Sequence, residues 1–285
     1  MAELVAEIAA LRKLLAPHRI AGKTIGLVPT MGALHAGHRR LMDIARAETD
    51  IVVATIFVNP TQFNRAEDLD RYPRTLDQDL DLCREAGVDL VFAPSAAEMY
   101  PDEICPAVPS RTWVDVPALS EHLCGPGRPG HFRGVATVVM KLFQIVQPDR
   151  AYFGEKDAQQ LAIIRRMVKD LNVPVTIVPV ATVREPDGLA MSSRNRHLTP
   201  EERQRATVLS QALFTARDLV LQGERSAEKI RTSVAPIFDA VQLEYFSVVD
   251  PETLTPVERI EGSVLIAGAI WLGSARLIDN VTVAP

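Results

Sequence analysis

The sequence is poor in cysteine, and the cysteines that it contains are far apart. Cys83, Cys105 and Cys124 form an odd, widely spaced set in a chain of 285 residues, which argues against a disulfide framework and against a Cys-x-x-Cys metal site. A chain of this length can bury a large core without disulfides or a structural metal. The cysteine usage therefore predicts a reducing, cytoplasmic location.

The sequence also lacks an excess of positive charge and a long apolar run. It contains 31 Lys and Arg residues against 36 Asp and Glu residues, whereas nonspecific nucleic-acid binding needs a basic face. The longest apolar run covers residues 264–272, and a bilayer span takes about 20 residues. The N-terminal segment has no basic n-region, so it is not expected to act as a signal peptide. We predict neither a nucleic-acid nor a membrane partner.

Apolar, β-branched runs alternate with helical stretches through the first two thirds of the chain. Strands are predicted at 24–30, 51–58, 88–94, 113–116, 150–154 and 173–183, and helices at 4–15, 38–47, 76–86, 134–146 and 158–171. This alternation predicts a parallel α/β sheet with right-handed crossovers. Beyond it, helices are predicted at 200–221 and 226–240, and strands at 243–249, 264–272 and 277–283. We therefore predict a Rossmann-like parallel-sheet domain over residues 1–184 and a smaller α+β domain over residues 185–285.

Three segments resemble known ligand-binding loops, but their sequence context favours other roles. A Gly-Lys-Thr triplet at 22–24 resembles the end of a P-loop, yet it precedes a strand instead of following one. Segment 125–130 matches Gly-x-Gly-x-x-Gly but contains two prolines and follows no apolar strand, so we predict a mobile, cationic loop. Asp77, Asp79 and Asp81 lack the glycine and glutamate that complete a calcium loop, so we predict a solvated helix face.

The segment PTMGALHAGH at 29–38 lies where a predicted strand meets a predicted helix. Ligands of open α/β sheets bind beyond the carboxyl ends of the strands. Gly32 and Gly37 permit a tight turn and a close approach of the backbone to a ligand, and the helix start offers N–H groups suited to phosphate. His35 and His38 can donate hydrogen bonds to phosphate oxygens; the alternative is a pair of surface histidines at a helix cap. Zinc would need further ligands.

Polar side chains also follow the predicted strand at 150–154. Lys156 can neutralise phosphate charge during a transfer reaction. Asp157 would cap the next helix, contact a ribose, or do both. Gln160 comes four residues after Lys156, so the two side chains could share one helical face.

Two further segments carry polar groups after apolar runs. Asn59 and Gln62 follow the run at 51–58, where uncharged polar groups can orient a hydroxy acid; the alternative is ordinary loop polarity. The sequence Met-Ser-Ser-Arg at 191–194 follows the run at 173–183. Its backbone N–H groups, hydroxyls and guanidinium suit a triphosphate, and the alternative is a plain interdomain linker.

Taken together, these motifs resemble those of one enzyme family. The His-x-Gly-His sequence resembles the signature of the nucleotidyltransferase superfamily, which includes class I aminoacyl-tRNA synthetases. The further motifs are FVNPTQF at 57–63, YPR at 72–74, GHFRG at 130–134, GEKD at 154–157, QQ at 159–160 and MSSRN at 191–195. With them, the chain resembles the pantoate–β-alanine ligase family from about residue 26 to residue 195.

The resemblance implies a two-step reaction. Pantoate and ATP would give pantoyl adenylate and pyrophosphate, and β-alanine would then give pantothenate and AMP. No protein nucleophile is needed, which fits the lack of a suitably placed catalytic Cys or Ser motif. The resemblance further implies that Mg²⁺ accompanies ATP, that the enzyme is a homodimer, and that the C-terminal domain closes over the active site.

The resemblance also assigns roles to residues of this chain. Four residues are implied to be catalytic: His35, His38, Lys156 and Arg194. Contacts with pantoate or β-alanine are implied for Asn59, Gln62 and Gln160. Contacts with ATP are implied for Met31, Gly32, Ala33, Leu34, His35, Ala36, Gly37, His38, Gly154, Glu155, Lys156, Asp157, Val183, Met191, Ser192, Ser193 and Arg194. No residue is assigned to a metal.

Two other functions stay open at this point. One is an adenylyl- or cytidylyltransferase with a different acceptor. The other is a nonenzymatic nucleotide-binding module, which would hardly need the polar groups around Gln62 and Gln160.

Overall fold

The computed structural model describes residues 2–101 and 112–285, so Cys105 lies outside the described residues. The chain divides into two compact units, each made of three segments. Unit 1 comprises Met1–Val116, Arg128–Gly154 and Ile163–Val180, and unit 2 comprises Pro117–Gly127, Glu155–Ala162 and Ala181–Pro285. The division at residue 184 stays a prediction.

Unit 1 is built on a parallel sheet. Its strands are β1 (Glu3–Val5), β2 (Ile25–Thr30), β3 (Ile51–Ile56), β4 (Leu90–Phe92), β5 (Arg150–Gly154) and β6 (Thr176–Val180), in the order β1-β4-β3-β2-β5-β6. Strands β2, β3 and β4 are almost wholly buried, as expected of parallel strands covered on both faces. Because β3 and β5 flank β2 on opposite sides, the chain reverses its order beside β2, the position where open α/β sheets bind ligands.

Helices alternate with these strands along the chain. They are α1 (Ile8–Ile20), α2 (Ala36–Glu48), α3 (Ala66–Asp70), α4 (Leu76–Glu85), α5 (Ala96–Met99), α6 (Pro117–Ser120), α7 (His131–Val146) and α8 (Ala158–Asp170); of these, α6 and the start of α8 belong to unit 2. Leu34, Leu41, Met42, Leu80 and Val91 lie in one apolar core of unit 1. Leu34, which follows Gly32 and Ala33 in the turn after β2, is therefore anchored in the core.

Three predictions about unit 1 are wrong. Leu4 lies in β1 and not in the first helix, because the edge of β4 offers it a strand partner. Residues 113–116 form no strand: the N–H of Val114 donates to Thr137 Oγ1 at 3.0 Å instead of to a neighbouring strand. Asp79 is not on a solvated face but is only 2% exposed, because it binds backbone N–H groups of another segment.

Unit 2 contains an antiparallel sheet packed against helices. Its strands are β7 (Gln242–Val249), β8 (Val264–Leu272) and β9 (Ala275–Val283), in that order, and its further helices are α9 (Pro200–Arg205), α10 (Val208–Leu221) and α11 (Ala227–Val234). The helix predicted at 200–221 is thus two helices. The one predicted at 226–240 ends at Val234 and continues as a 3-10 turn, since Pro236 has no N–H to extend an α-helix. The predicted fold class, a Rossmann-like parallel sheet with a smaller α+β part, is confirmed.

Candidate active site

The histidine motif forms the junction between β2 and α2. His35 is the N-cap of α2, and its Nδ1 accepts the N–H of Gly37 at 3.1 Å, while Nδ1 of His38 accepts the N–H of His35 at 3.3 Å. The two side chains therefore make a capping box of the kind usually made by Ser and Glu. Because Nδ1 is the acceptor in both rings, the proton of each neutral imidazole lies on Nε2, where it can be donated to a phosphate oxygen.

Glycine is required inside this motif for a steric reason. A Cβ at Gly37 would lie 2.8 Å from Cε1 and 3.0 Å from Nδ1 of His35. The ring of His35 can therefore fold back onto the helix start only because position 37 has no side chain. The centroids of the His35 and His38 rings are then 4.2 Å apart, so both donors lie at one helix N-terminus. The cap alternative and the phosphate prediction are thus compatible.

Two buried amides follow β3, as predicted. Asn59 is 1% and Gln62 is 7% exposed, and Nδ2 of Asn59 donates to Oε1 of Gln62 at 3.0 Å. The hydroxyl of Tyr100 donates to Oδ1 of Asn59 at 2.8 Å. With its oxygen occupied by Asn59, Gln62 directs its NH₂ donors elsewhere, and Nε2 lies 3.0 Å from Sδ of Met31. Since a thioether is a weak acceptor, this amide is available to a stronger acceptor such as a carboxylate or hydroxyl.

A second layer of contacts holds the Gln62 backbone. His131 Nδ1 lies 2.8 Å from the carbonyl oxygen of Gln62, and Nη1 of Arg128 lies 2.8 Å from Nε2 of the same ring. A guanidinium only donates, so Nε2 accepts and Nδ1–H donates to the carbonyl. Gly134 allows α7 to meet this segment, since a Cβ there would lie 2.5 Å from the carbonyl oxygen of Thr61. The resemblance pointed to the GHFRG motif but gave these residues no role.

In unit 2, Lys156 lies in a 3-10 turn that β9 supports. Asn280 on β9 donates from Nδ2 to the carbonyl oxygens of Glu155 and Lys156, both at 2.9 Å. The Lys156 side chain is 16% exposed, and its Nζ lies 3.9 Å from Oδ2 of Asp157, which is at the limit of an ion pair. The cap or ribose role of Asp157 stays a prediction. Gln160 is half-buried in the first turn of α8.

The predicted triphosphate segment is fixed by backbone and side-chain contacts within unit 2. The N–H of Met191 donates to the carbonyl of Val183 at 2.9 Å. The hydroxyl of Ser192 accepts the N–H of Arg194 at 3.3 Å, which begins a 3-10 turn at Ser193–His197. Because Asn195 donates to Glu185 Oε1 and to the carbonyl of Ala190, both ends of the loop are tied.

Lys156 and Arg194 line one open cleft of unit 2. Its other polar lining residues are Ser192, Asn195, Ser210, Arg276 and Asp279. The Asp279 carboxylate is paired with Arg184 at 2.6 Å, and the Arg276 guanidinium is paired with Glu244 at 2.7 Å. Burial lowers the pKa of Arg276, but its interactions with Glu244 and with Cys124 together outweigh burial, so the pKa lies above its ordinary value. The cleft also holds the ammonium of Lys156, 3.9 Å from the Asp157 carboxylate, and the guanidinium of Arg194.

Sequence reasoning missed a buried polar cluster of unit 2 around Gln159, although it quoted the Gln-Gln pair at 159–160. Gln159 is buried and accepts the N–H of Cys124 at 3.0 Å. Its Nε2 donates to the carbonyls of Leu119 and His122 at 2.9 and 2.7 Å. These three hydrogen bonds hold segment 117–127, so we interpret Gln159 as structural.

Comparison with known proteins assigns this arrangement to a family. A family model described as pantoate-beta-alanine ligase matches residues 3–282. The chain belongs to the pantoate–β-alanine ligase family. This membership confirms the predicted enzyme class and the ligase function. Among curated members, the pantothenate synthetase of Moorella thermoacetica is 53% identical over 282 residues, which is 98% of each chain. That of Thermotoga petrophila is 56% identical over 261 residues, 90% of this chain and 91% of the relative.

Solved structures of pantoate–β-alanine ligases share the fold. The pantothenate synthetase of Thermus thermophilus has a TM-score of 0.92 and 46% identity and covers 99% of this chain and 100% of its own. The pantoate-β-alanine ligase of Francisella tularensis, solved with β,γ ATP and β-alanine, has a TM-score of 0.78 and 33% identity, over 99% of this chain and 97% of its own. No described helix of this chain is long and apolar enough to span a membrane. The individual site residues stay predictions.

Proposed function

We propose that this ligase condenses pantoate with β-alanine through a pantoyl adenylate. The pantoate carboxylate attacks the α-phosphorus of ATP, an acyl–phosphate bond forms, and pyrophosphate leaves. The amine of β-alanine then attacks the acyl carbon, AMP leaves, and the nitrogen loses a proton. One observation carries the proposal: the Gln62 amide lies 3.0 Å from Met31, the residue that begins the histidine turn. A donor suited to a hydroxy acid thus lies beside a helix N-terminus suited to phosphate.

The described residues of unit 1 support specific roles. Gln62, oriented by Asn59, would bind the carboxylate or hydroxyl of pantoate, and His35 and His38 would donate from Nε2 to phosphate oxygens. His38 is the better candidate for donation to the group that gains negative charge in adenylyl transfer. The remaining proposed ATP contacts of this unit are the turn residues Met31, Gly32, Ala33, Leu34, Ala36 and Gly37, and Gly154 at the end of β5.

The described residues of unit 2 support roles toward the triphosphate. Lys156 and Arg194 would stabilise the charge that develops on the α-phosphate and on the leaving pyrophosphate, because preorganised cations act where charge forms. Ser192, Ser193 and Met191 would add hydroxyl and backbone donors. The remaining proposed contacts are Glu155, Asp157 and Val183 with ATP, and Gln160 with pantoate.

We also propose that Mg²⁺ enters the reaction together with ATP. Among the described residues, no group of three His, Cys, Asp or Glu side chains could hold a metal ion. The ligands would therefore come chiefly from the phosphates and water, which is how Mg²⁺ commonly binds at nucleotide sites. When bound, Mg²⁺ neutralises phosphate charge.

Two further proposals concern the state of the enzyme. A homodimer is supported by apolar side chains of the edge strand β6, where Ile177 and Val178 are only half-buried, and by Leu171, which follows α8 and is 53% exposed. Sedimentation velocity should give the mass of two copies, and a single-copy mass would contradict the homodimer.

A cytoplasmic location is supported by the thiols of Cys83 and Cys124, which are free and buried.

Isotope exchange tests the reaction. With ATP, Mg²⁺ and pantoate but no β-alanine, labelled pyrophosphate should enter ATP, since the first step is reversible and needs no amine. Omission of pantoate is the matched control and should abolish exchange. If exchange is absent and ADP forms only when β-alanine is present, the intermediate is an acyl phosphate and the adenylate proposal fails.

A further inference from the structure

The carboxylate of Asp79 is buried inside unit 1, although its neighbours Asp77 and Asp81 on the same helix are exposed. A buried carboxylate is unfavourable unless hydrogen bonds compensate for the lost water. Asp79 lies in the first turn of α4, where the positive end of the helix dipole favours an anion. Its position alone does not explain its burial, so its partners must be considered.

Asp79 binds two successive N–H groups of the turn that precedes His35. The N–H of Leu34 donates to Oδ1 at 2.7 Å, and the N–H of Ala33 donates to Oδ2 at 3.0 Å. The hydroxyl of Thr75 donates to Oδ2 at 3.2 Å. Both carboxylate oxygens are therefore occupied, and two of the three donors belong to one short piece of backbone.

That piece of backbone has an unfavourable conformation. Gly32 has φ of +83° and Ala33 has φ of +52°, and the left-handed region is unfavourable for a residue with a Cβ. Such a conformation persists only where surrounding contacts hold it. The two hydrogen bonds to Asp79 hold it from one side, and the buried side chain of Leu34 anchors it in the apolar core.

We propose that Asp79 is a positioning residue for adenylyl transfer, which holds turn 32–34 so that His35 and His38 meet the phosphates of ATP. The proposal rests on the proposed function. The turn leads directly into His35, the N-cap of α2, so a change at Ala33 shifts the start of this helix and both rings. A displacement of about 1 Å at a reacting group can lower a rate about 100-fold.

Asp79→Asn is the isosteric test. An asparagine has one acceptor oxygen, and its NH₂ would face a backbone N–H, so one of the two turn contacts is lost and replaced by a clash of donors. We expect kcat for pantoate-dependent pyrophosphate exchange to fall about 10- to 100-fold, with the KM for pantoate little changed. Asp77→Asn removes an exposed carboxylate from the same helix turn and is expected to leave both parameters unchanged.

A second substitution separates positioning from general stability. Glycine tolerates the left-handed region, so adding Ala33→Gly to Asp79→Asn should restore part of kcat. If Asp79→Asn lowered kcat only by destabilising another part of the protein, Ala33→Gly would not restore it. Wild-type kcat in folded Asp79→Asn, or a loss that Ala33→Gly does not reduce, would overturn the proposal. Absence of exchange in the unaltered enzyme would instead overturn the proposed function.

A milder variant covers the case in which Asp79→Asn does not fold by circular dichroism. Thr75→Val keeps the carboxylate but removes one of its donors, so it should cause a smaller loss of kcat, again with little change in the KM for pantoate. An unchanged kcat in folded Thr75→Val, alongside an unfolded Asp79→Asn, would mean that Asp79 serves folding only and would overturn the positioning role.

Discussion

Replacing Gly134 with alanine should damage the pantoate site, although Gly134 is not itself a predicted ligand contact. A Cβ at this position would lie 2.5 Å from the carbonyl oxygen and 2.7 Å from the carbonyl carbon of Thr61, and 2.8 Å from Cα of Gln62. All three atoms are backbone, so no side chain can rotate away. Since ordinary contact begins at 3.4 Å, α7 and segment 60–62 must separate by more than about half an ångström. Overpacking of this kind costs about 1–3 kcal/mol.

The same separation stretches the contacts that orient Gln62. Nδ2 of Asn59 donates to the carbonyl of Gly134 at 3.2 Å, and His131 on α7 donates to the carbonyl of Gln62 at 2.8 Å. An added half ångström takes the first beyond hydrogen-bond distance and weakens the second. We therefore expect Gly134→Ala to raise the KM for pantoate, to lower kcat, and to lower the melting temperature, with the KM for ATP less affected.

The assay is pyrophosphate exchange measured over a range of pantoate and ATP concentrations, together with thermal unfolding. Gly262→Ala is the matched control, because a Cβ at Gly262 would meet no atom within 4 Å, and it should resemble the unaltered enzyme in all measurements. If Gly134→Ala keeps the pantoate KM, kcat and melting temperature of the unaltered enzyme, the close packing of α7 on segment 60–62 does not orient Gln62, and the reasoning is refuted.

Three further outcomes are expected. His38→Ala and Lys156→Ala should each slow adenylation by roughly 10²–10³ with little change in melting temperature, because each removes one charge-stabilising donor; near-normal exchange rates in both would contradict the phosphate assignment. Gln62→Ala should weaken pantoate binding by about 1–3 kcal/mol, measured as a higher KM for pantoate. An equal rise in the KM for ATP would contradict the assignment of Gln62 to the pantoate site. Burial, and secondarily the charge of Asp79, raises the pKa of the Cys83 thiol to about 12, so at mildly alkaline pH mass spectrometry should find Cys83 alkylated only after denaturation; rapid alkylation of the native enzyme would contradict this.

The part of the site that depends on local sequence was predictable. The strand, the glycines and the two histidines lie within ten residues of one another, so strand–turn–helix geometry follows from the order of residue types. Asn59 and Gln62 were likewise placed by their position after an apolar strand. Their hydrogen bond to each other, at a separation of three residues, is a local contact.

The supporting residues could not be predicted in this way. Asp79 is 45 residues from Leu34, and its spacing with Asp77 and Asp81 is that of an exposed helix face. His131 is 69 residues from the carbonyl of Gln62 that it binds. No local pattern indicates either partner, because the residue types in turn 32–34 and in segment 60–62 do not show which of their backbone groups lack a nearby partner.

The sequence by itself determined the fold class and the family and predicted the chemistry-bearing residues, because hydrophobic periodicity and motif spacing are properties of short segments. Only the tertiary structure decided which polar groups are buried and what they bind. Residues 113–116 read as a strand but donate to Thr137, whereas residues 3–5 pair with β4. A backbone N–H takes the nearest suitable acceptor in space, and a chain that folds into a sheet of order β1-β4-β3-β2-β5-β6 brings acceptors from distant segments to positions that sequence distance does not reveal.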